Sequence, residues 1–315
     1  MIIFPKSAEE VVKALAAGGE IRAGGSEILD RMRLGLPIGA PIDLRDLAGL
    51  DDIDRRSSVL HLGALVRVQA IADNPQLRRD YPALAAAAGA LATPQIRAVA
   101  TVGGNLLQHP RCPYYCGANL RCLRSGASLC GALTGDPARL GSFALGPCLA
   151  PHPSTLATAL LAYEAIVVLH GGEECSMAAL LGDGSDPMRS HRLAPGKMLT
   201  SVVVPSPWPG ERAAYVRVTS RTHAPEWPLV EVLTRLDCKG ARLRSARIVA
   251  GGVAPVPLRL RSVEAALEGT LVDAESLAAA ARLAADGADP LPAGRFRIDL
   301  LIGATQEALE RAAAM

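Results

Sequence analysis

Seven cysteines are the residues of this chain whose chemistry is easiest to interpret, because five of them lie close together in the sequence. The five fall within positions 112–148, among Gly, Pro and Arg residues, whereas Cys175 and Cys238 lie alone in apolar or strand-like surroundings. The odd total argues against a disulfide framework in a chain of 315 residues. Clustered thiolates in such a chain more often bind a metal ion or an iron–sulfur cluster.

The cysteine spacing does not by itself choose the bound group. Steps of 10, 8 and 18 residues separate four of the five clustered cysteines: Cys112, Cys122, Cys130 and Cys148. These steps are unlike the compact C-x-x-C pairs of zinc ribbons and bacterial ferredoxins. Four thiolates would fit a cuboidal iron–sulfur cluster or a structural zinc, and buried unligated thiols stay an alternative. Three nearby arginines would offset the negative charge of a cluster: Arg111, Arg121 and Arg124.

Two glycine pairs in the front half of the chain have the composition of phosphate-binding turns. One is Ala23-Gly24-Gly25-Ser26-Glu27-Ile28, and the other is Thr101-Val102-Gly103-Gly104-Asn105. Such turns expose consecutive backbone N–H groups, and glycine lets a ligand approach the backbone closely. Together the two loops could close on the two phosphates of a dinucleotide, although ordinary tight turns are the alternative. Neither loop matches the G-x-G-x-x-G fingerprint, so a Rossmann fold is not indicated.

Composition excludes several classes of partner. Half of the residues are apolar, and 33 Lys and Arg against 31 Asp and Glu leave a net charge of +2, which provides no electrostatic footprint for nucleic acid or an anionic membrane. No apolar run is long enough for a membrane span, and the opening MIIFPKSAEE lacks the apolar core of a signal peptide. Aromatic residues make up only 3%, so the core must be built from Ala, Val, Leu and Ile.

The elements that must position these residues alternate between helix and strand. Helices are predicted after Ser7, over residues 80–92, after Ser154, after Asp273 and over 298–313, and strands over 20–23, 41–44, 59–62, 166–170, 213–218, 228–238 and 241–255. Gly, Pro, Cys and Arg interrupt every period over 100–155, so a long ordered loop is expected there. A Pro-rich break at 205–210 predicts a domain boundary, and the whole pattern favours an α+β or mixed α/β architecture.

Five segments spread over the whole chain resemble one protein family, and they follow one another in the order expected for it: AGGSEILDRMRLGLP, QIRAVATVGGNLLQHPRCPYYC, GPCLAPHPSTLATAL, YVRVTSR and ARIVAGGVAPVPLR. The chain resembles the FAD-binding (medium) subunit of molybdenum hydroxylases, the xanthine dehydrogenase and carbon monoxide dehydrogenase family. Its extra cysteines resemble the 4Fe–4S-containing FAD subunit of periplasmic-type bacterial aldehyde oxidoreductase. The implied fold is α+β, with a two-part FAD-binding domain of the PCMH type over 1–206 and a small α/β C-terminal domain of the carbon monoxide dehydrogenase flavoprotein type over 207–315. The first domain would comprise a small α/β lobe, 1–50, and a larger lobe, 51–206, which contains the Cys-rich loop, residues 109–150.

The resemblance also implies roles for individual residues. One pyrophosphate loop would consist of Ala23, Gly24, Gly25, Ser26, Glu27 and Ile28, and the other of Thr101, Gly103, Gly104 and Asn105. Leu193 would lie against the flavin ring, Arg217 stands where the family usually has a flavin-contacting Lys, and Thr155 stands where it usually has Asp. The four cluster ligands would be Cys112, Cys122, Cys130 and Cys148, with Cys116 a bystander. His109 and His152 flank the Cys-rich loop and could orient it, whereas the remaining histidines are isolated in the sequence: His61, His170, His191 and His223.

By the same resemblance the chain would be the FAD-binding electron-transfer subunit of a heterotrimer, with no substrate oxidised on the chain itself. A large subunit with molybdopterin would oxidise an aldehyde or N-heterocycle, a small subunit with two 2Fe–2S clusters would relay electrons, and FAD would pass them to an external acceptor. Two alternatives stay open, a stand-alone FAD-dependent oxidoreductase and a zinc-stapled, non-catalytic scaffold. The expected compartment is the cytoplasm, or the periplasm if a partner that carries a signal exports the folded subunit. No nucleic acid or membrane partner is expected.

Overall fold

A small lobe begins the chain. The computed structural model describes residues 2–56, 59–117, 120–221 and 226–315, so His223 lies outside the described part. The lobe comprises α1 (Ala8–Ala16), β1 (Gly19–Arg22), α2 (Ile28–Arg33) and β2 (Ala40–Asp43), and its two strands pair in parallel. Ser7 caps α1 as predicted, because its hydroxyl accepts a hydrogen bond from the backbone N–H of Glu10. The Glu10 carboxylate accepts from Lys6 N at 2.7 Å.

A five-stranded antiparallel sheet forms one side of the large lobe. Its strands are β3 (Ile53–Arg56), β4 (Val59–Gly63), β5 (Ile166–Leu169), β6 (Glu174–Ser176) and β7 (Leu199–Val204). The order across the sheet is β3-β4-β7-β5-β6. β7, the last of these strands in the sequence, therefore lies between β4 and β5. It pairs with one strand from the beginning of the lobe and one from its end.

Helices cover this sheet and carry the irregular segments. They are α3 (Val68–Asp73), α4 (Pro75–Asp80), α5 (Pro82–Ala90), α6 (Pro94–Arg97), α7 (Val102–Leu106), α8 (Pro113–Cys116), α9 (Thr155–Ala162) and α10 (Met177–Leu181). All eight residues of α9 are buried, and α5 buries five of nine. A helix that is apolar on every side belongs in a core, so α9 forms the centre of the molecule. In the described part of 117–154 the regular structure is limited to two single 3₁₀ turns, Leu123–Ser125 and Gly131–Leu133.

The C-terminal domain is an antiparallel sheet with helices packed on it. Its strands are β8 (Arg212–Val218), β9 (Val230–Lys239), β10 (Arg242–Gly251) and β11 (Leu258–Arg259), in the order β11-β10-β9-β8. Its helices are α11 (Arg261–Leu267), α12 (Ala274–Arg282) and α13 (Phe296–Ala313), of which α13 packs on β8 and β9. None of the described helices is long and apolar enough to cross a membrane.

One hydrophobic core joins the large lobe to the C-terminal sheet. It extends from Leu62 through Leu160 on α9 to Leu233 and Val249 on β9 and β10, and Ala, Val, Leu and Ile dominate it, as the composition predicted. The Cys-rich loop also docks on the C-terminal domain, since Ser142 N donates to Val253 O at 2.6 Å. The loop and both domains are therefore held in one fixed arrangement.

Buried Arg235 on β9 reinforces this junction. Its guanidinium lies 4.3 Å from the ring centres of both Tyr163 and Trp208. It also donates to Ala162 O at 2.8 Å and to the Glu211 carboxylate at 2.6 Å. The arginine thus ties the end of α9 to the segment that links the two domains.

Candidate functional site

A cavity of about 500 Å³ opens between the small lobe and the large lobe. Three segments supply most of its wall: 23–28, 101–109 and 188–197. The first two contain the glycine pairs that the sequence singled out, and the third is irregular. Cavities of this volume are of the size that accepts cofactors.

The first glycine loop follows β1 directly. A Cβ atom added to Gly24 would overlap the Val99 carbonyl oxygen and lie 2.7 Å from the Val99 carbonyl carbon. Gly25 has φ +77°, a left-handed conformation that residues with side chains rarely adopt. Both glycines are therefore required by the backbone path. All six predicted residues of this loop line the cavity: Ala23, Gly24, Gly25, Ser26, Glu27 and Ile28.

The second loop is the start of α7. The Thr101 hydroxyl caps this helix by accepting from Gly104 N at 3.2 Å, and Gly103 packs against the backbone of Ala64. Thr101, Gly103 and Gly104 line the cavity. Asn105 does not, because its side-chain oxygen accepts from the Ser154 hydroxyl at 2.7 Å and from Leu156 N at 3.3 Å. Asn105 instead fixes the second loop to the beginning of α9.

The third wall carries Leu193, which lines the cavity, and a histidine that the sequence left unassigned. Burial, with smaller effects from nearby positive groups, lowers the pKa of His191 to about 4, so its imidazole is neutral at pH 7. Its Nδ1 is buried without a hydrogen-bond partner among the described residues. No local signal marks this wall, because 182–198 has no helical or strand period and reaches the cavity only through the fold.

Charged groups line one rim of the cavity. His109 Nδ1 lies 3.0 Å from a Glu27 carboxylate oxygen, and Arg31, only 5% exposed, contacts the carboxylates of both Glu20 and Glu27. Burial acts to raise the pKa of Glu27, but the hydrogen bond with His109 and the charges of Arg31 and Arg111 outweigh it and lower that pKa. Glu20, Glu27 and His109 are close enough together to ligate a metal ion. Arg31 provides the positive charge at this place, so we assign no metal to it.

Two of the predicted flavin contacts lie elsewhere. Thr155 and Arg217 are not on the cavity wall. The Thr155 hydroxyl donates to buried Glu231 at 2.9 Å, and Thr158 and Tyr215 donate to the same carboxylate at 3.0 and 2.6 Å. The Glu231 carboxylate is buried and therefore needs these hydrogen-bond donors. Burial raises its pKa, and the three hydrogen bonds act in the opposite direction. The Arg217 guanidinium donates to the carbonyl of Glu226. A contact of Thr155 or Arg217 with a flavin stays a prediction.

The four predicted metal ligands lie in one neighbourhood. Cys112, Cys122 and Cys148 are buried and Cys130 is half-buried. Burial raises the pKa of the Cys112 thiol to about 11, and the thiols of Cys148 and Cys122 add to the shift. Burial also raises the pKa of the Cys130 thiol, and the same two thiols make a smaller contribution in the same direction. All four are free thiols, and Cys112 and Cys130 each lie close enough to Cys122 and Cys148 for those thiols to affect their pKa values.

The other cysteines differ in their surroundings. Cys116 lies near Cys122, and its thiol approaches Pro110 O at 3.9 Å. Cys175 is on β6 and Cys238 is on β9, outside the Cys-rich loop that carries the group of four.

Residues 1–207 match the family described as the FAD-binding domain in molybdopterin dehydrogenase. Residues 214–312 match the carbon monoxide dehydrogenase flavoprotein C-terminal domain. The chain is 35% identical over 260 residues to the aldehyde oxidoreductase FAD-binding subunit PaoB of Escherichia coli K12, which covers 79% of each chain. It is 26% identical over 319 residues to the carbon monoxide dehydrogenase medium chain of Afipia carboxidovorans, covering 98% of this chain and 95% of that one.

Solved structures show the same fold. Quinoline 2-oxidoreductase from Pseudomonas putida 86 superposes with a TM-score of 0.77 at 20% identity, over 100% of this chain and 97% of that one. A carbon monoxide dehydrogenase in its cyanide-inactivated form gives 0.77 at 22% identity, over 99% and 97%. The predicted resemblance and the predicted two-part α+β fold are confirmed by these matches. The chain belongs to the FAD-binding subunits of the molybdenum hydroxylases and is an oxidoreductase subunit.

Proposed function

We propose that this chain holds FAD in the 500 Å³ cavity as the electron-transfer subunit of a heterotrimeric molybdenum hydroxylase. The observation that carries the proposal is that both glycine loops, far apart in the sequence, line one cavity. The FAD diphosphate would lie between the backbone N–H groups of 23–28 and of Thr101, Gly103 and Gly104. The isoalloxazine ring would lie against the apolar wall at Leu193.

The residues present fit such a cofactor. Gly104 is exposed on the wall, and a Cβ there would meet only the Thr101 hydroxyl within 4 Å, so the backbone is open to a ligand. When bound, FAD supplies two-electron chemistry that can be divided into single-electron transfers. The residues of the cavity wall would bind and orient the isoalloxazine ring. Because the His191 imidazole is neutral at pH 7, it adds no positive charge to the wall that carries Leu193.

The Cys-rich loop would hold a 4Fe–4S cluster on Cys112, Cys122, Cys130 and Cys148. Supporting this, two of the four free thiols, Cys112 and Cys130, each interact with the other two, and three of the four are buried, which suits a site from which water is excluded. Thiols with raised pKa values are protonated at pH 7, so binding of the cluster would release protons.

The partners would be a molybdopterin-binding large subunit and a small subunit with two 2Fe–2S clusters, and an external acceptor would receive the electrons. The names of two relatives, a FAD-binding subunit and a medium chain, support a subunit role. The first of these belongs to an aldehyde oxidoreductase, so we propose an aldehyde as the substrate of the large subunit.

The test is anaerobic purification of the full chain with its co-expressed partners, followed by FAD, iron and zinc analysis. We expect a flavin band at ~450 nm, iron in the FAD subunit, and aldehyde oxidation only when the large subunit is present. A colourless, FAD-free complex would refute the proposal. Aldehyde oxidation by this chain alone would favour a stand-alone enzyme, and zinc in place of iron would favour a structural centre.

A further inference from the structure

A second cavity, of about 110 Å³, lies between the Cys-rich loop and the C-terminal domain. Cys112 and His152 come from one side of it, and Arg297 comes from α13 on the other. Arg111 and Arg139 also line it. The cavity therefore combines one predicted cluster ligand with three arginines.

Arg297 is a buried cation without an acidic partner among the residues that the structure describes. It is 1% exposed, and its guanidinium donates to the carbonyls of Leu229 and Gly252 and, at 3.5 Å, of Ala138. Its Nε has no hydrogen-bond partner within the described part of the chain. Burial alone lowers its pKa to about 10, so it stays charged at pH 7. An uncompensated buried charge is costly, and three carbonyls offset that cost only in part.

The other charged groups of this cavity do not supply the missing negative charge. Arg111 forms an ion pair with Asp30, and its guanidinium lies 5.3 Å from the ring centre of Trp227. Arg139 is exposed, and no carboxylate within the described ranges pairs with it. The acidic residue of the wall, Glu226, keeps its negative charge, but among the described residues it forms no ion pair with Arg297, and its carboxylate accepts from the N–H and hydroxyl of Ser220 instead. The positive charges of the cavity therefore exceed its negative charge.

We propose that Arg297, assisted by Arg139, is the counter-charge of an anionic tetrathiolate iron–sulfur centre at Cys112 and its three neighbours. This inference rests on the cluster proposed above. A cluster with four thiolates carries a net negative charge, which grows when one electron is added. A fixed cation nearby therefore stabilises the reduced form more than the oxidised form and raises the reduction potential. Of the three arginines that the sequence suggested for this role, Arg111 is already neutralised by Asp30.

The test is a redox titration of the full chain, purified without oxygen and reduced with dithionite, with the cluster followed by electron paramagnetic resonance. Arg297→Gln should lower the ratio of reduced to oxidised cluster at a fixed potential about tenfold, which is about 59 mV for one electron. Arg297→Lys keeps the charge and should titrate close to the wild type. Arg139→Gln should shift the potential in the same direction but less, because solvent screens its charge. Arg282→Gln, an exposed arginine of α12, is the control that should change nothing.

The outcomes separate this inference from the proposed function. Wild-type protein without iron would overturn the proposed cluster and this inference together. Iron-containing Arg297→Gln protein with an unchanged reduction potential would overturn this inference alone. The same would follow if Arg297→Lys shifted the potential as much as Arg297→Gln, because the shift would then come from the changed side-chain shape and not from the lost charge. If Arg297→Gln does not accumulate, the absence of any shift in Arg139→Gln overturns it.

Discussion

Replacement of Gly24 by alanine should empty the large cavity of FAD without unfolding the chain. The added methyl would overlap the Val99 carbonyl oxygen and lie 2.7 Å from its carbon and 3.2 Å from Ala100 Cα. Carbon contacts below 3.0 Å essentially do not occur, so the first loop must move away from 99–100, the segment that leads into the second loop. The two loops that face the proposed diphosphate would then separate.

The size of the effect follows from the contacts at stake. A hydrogen bond to a charged group contributes about 1.5–3 kcal/mol, so loss of one such bond to the diphosphate weakens binding about 10- to 100-fold, and loss of two weakens it by up to about 10⁴-fold. Overpacking of a well-packed segment costs about 1–3 kcal/mol of global stability. We therefore expect the loss of FAD affinity to be large while the chain still folds.

The assay is FAD binding to deflavinated protein by quenching of flavin fluorescence, with urea unfolding measured on the same samples without FAD. Gly303→Ala is the matched control, because a Cβ on Gly303 meets nothing within 4 Å and the residue lies inside α13. That variant should bind FAD normally and gain stability of up to about 1 kcal/mol from helix propensity. Wild-type FAD affinity in Gly24→Ala would show that the approach of the two loops does not position the cofactor.

Three further changes test other parts of the structure. Cys122→Ser should reduce the iron per chain, whereas Cys175→Ser should leave iron analysis unchanged; equal iron in both would refute the ligand set. Arg235→Ala should lower the free energy of unfolding in urea by about 3–5 kcal/mol, because it leaves the carboxylate of Glu211 buried without its partner; a loss below 1 kcal/mol would contradict this. Burial lowers the pKa of His152 to about 3 in the folded chain, so its contribution to stability is present above about pH 6.5 and is lost as the pH falls toward 3. His152→Asn should remove up to about 1.4 kcal/mol per pH unit of that dependence in unfolding measurements between pH 4 and 6.5, and an unchanged slope would count against it.

The elements with local signals were predictable from the sequence. Ser7, Ser154 and Asp273 each begin a helix by accepting a backbone hydrogen bond, and each was recognised by residue type and position. Three strands of the C-terminal sheet, β8, β9 and β10, were predicted from their apolar strand-like runs, whereas the two-residue β11 was not. The position of β7 between β4 and β5 was not predictable, because pairing across that distance leaves no periodicity in the sequence.

Some residues of the candidate site also have local sequence signals, whereas others come together only through the fold. The glycine loops were predictable because turns need glycine where the backbone approaches another segment, as at Gly24. The resemblance placed Thr155 among the cofactor-binding residues, which stays a prediction, whereas no local pattern could indicate that its hydroxyl donates to Glu231, 76 residues further along the chain. Arg297 could not be connected with the cysteines, because only the docking of the Cys-rich loop on the C-terminal domain brings it to Cys112.

The continuous core between α9 and the strands β9 and β10 limits how this protein can be divided. If the chain is cut after β7, the first piece would expose Leu160 and its neighbours, and the second would expose the facing side of its sheet. Both pieces should therefore be less stable and more prone to aggregate than the intact chain, although the second keeps the core between its sheet and α11–α13. Exchange of C-terminal domains between related proteins should therefore succeed only when the surfaces of α5 and α9 are transplanted with them, so the two halves must change together during evolution and in engineering.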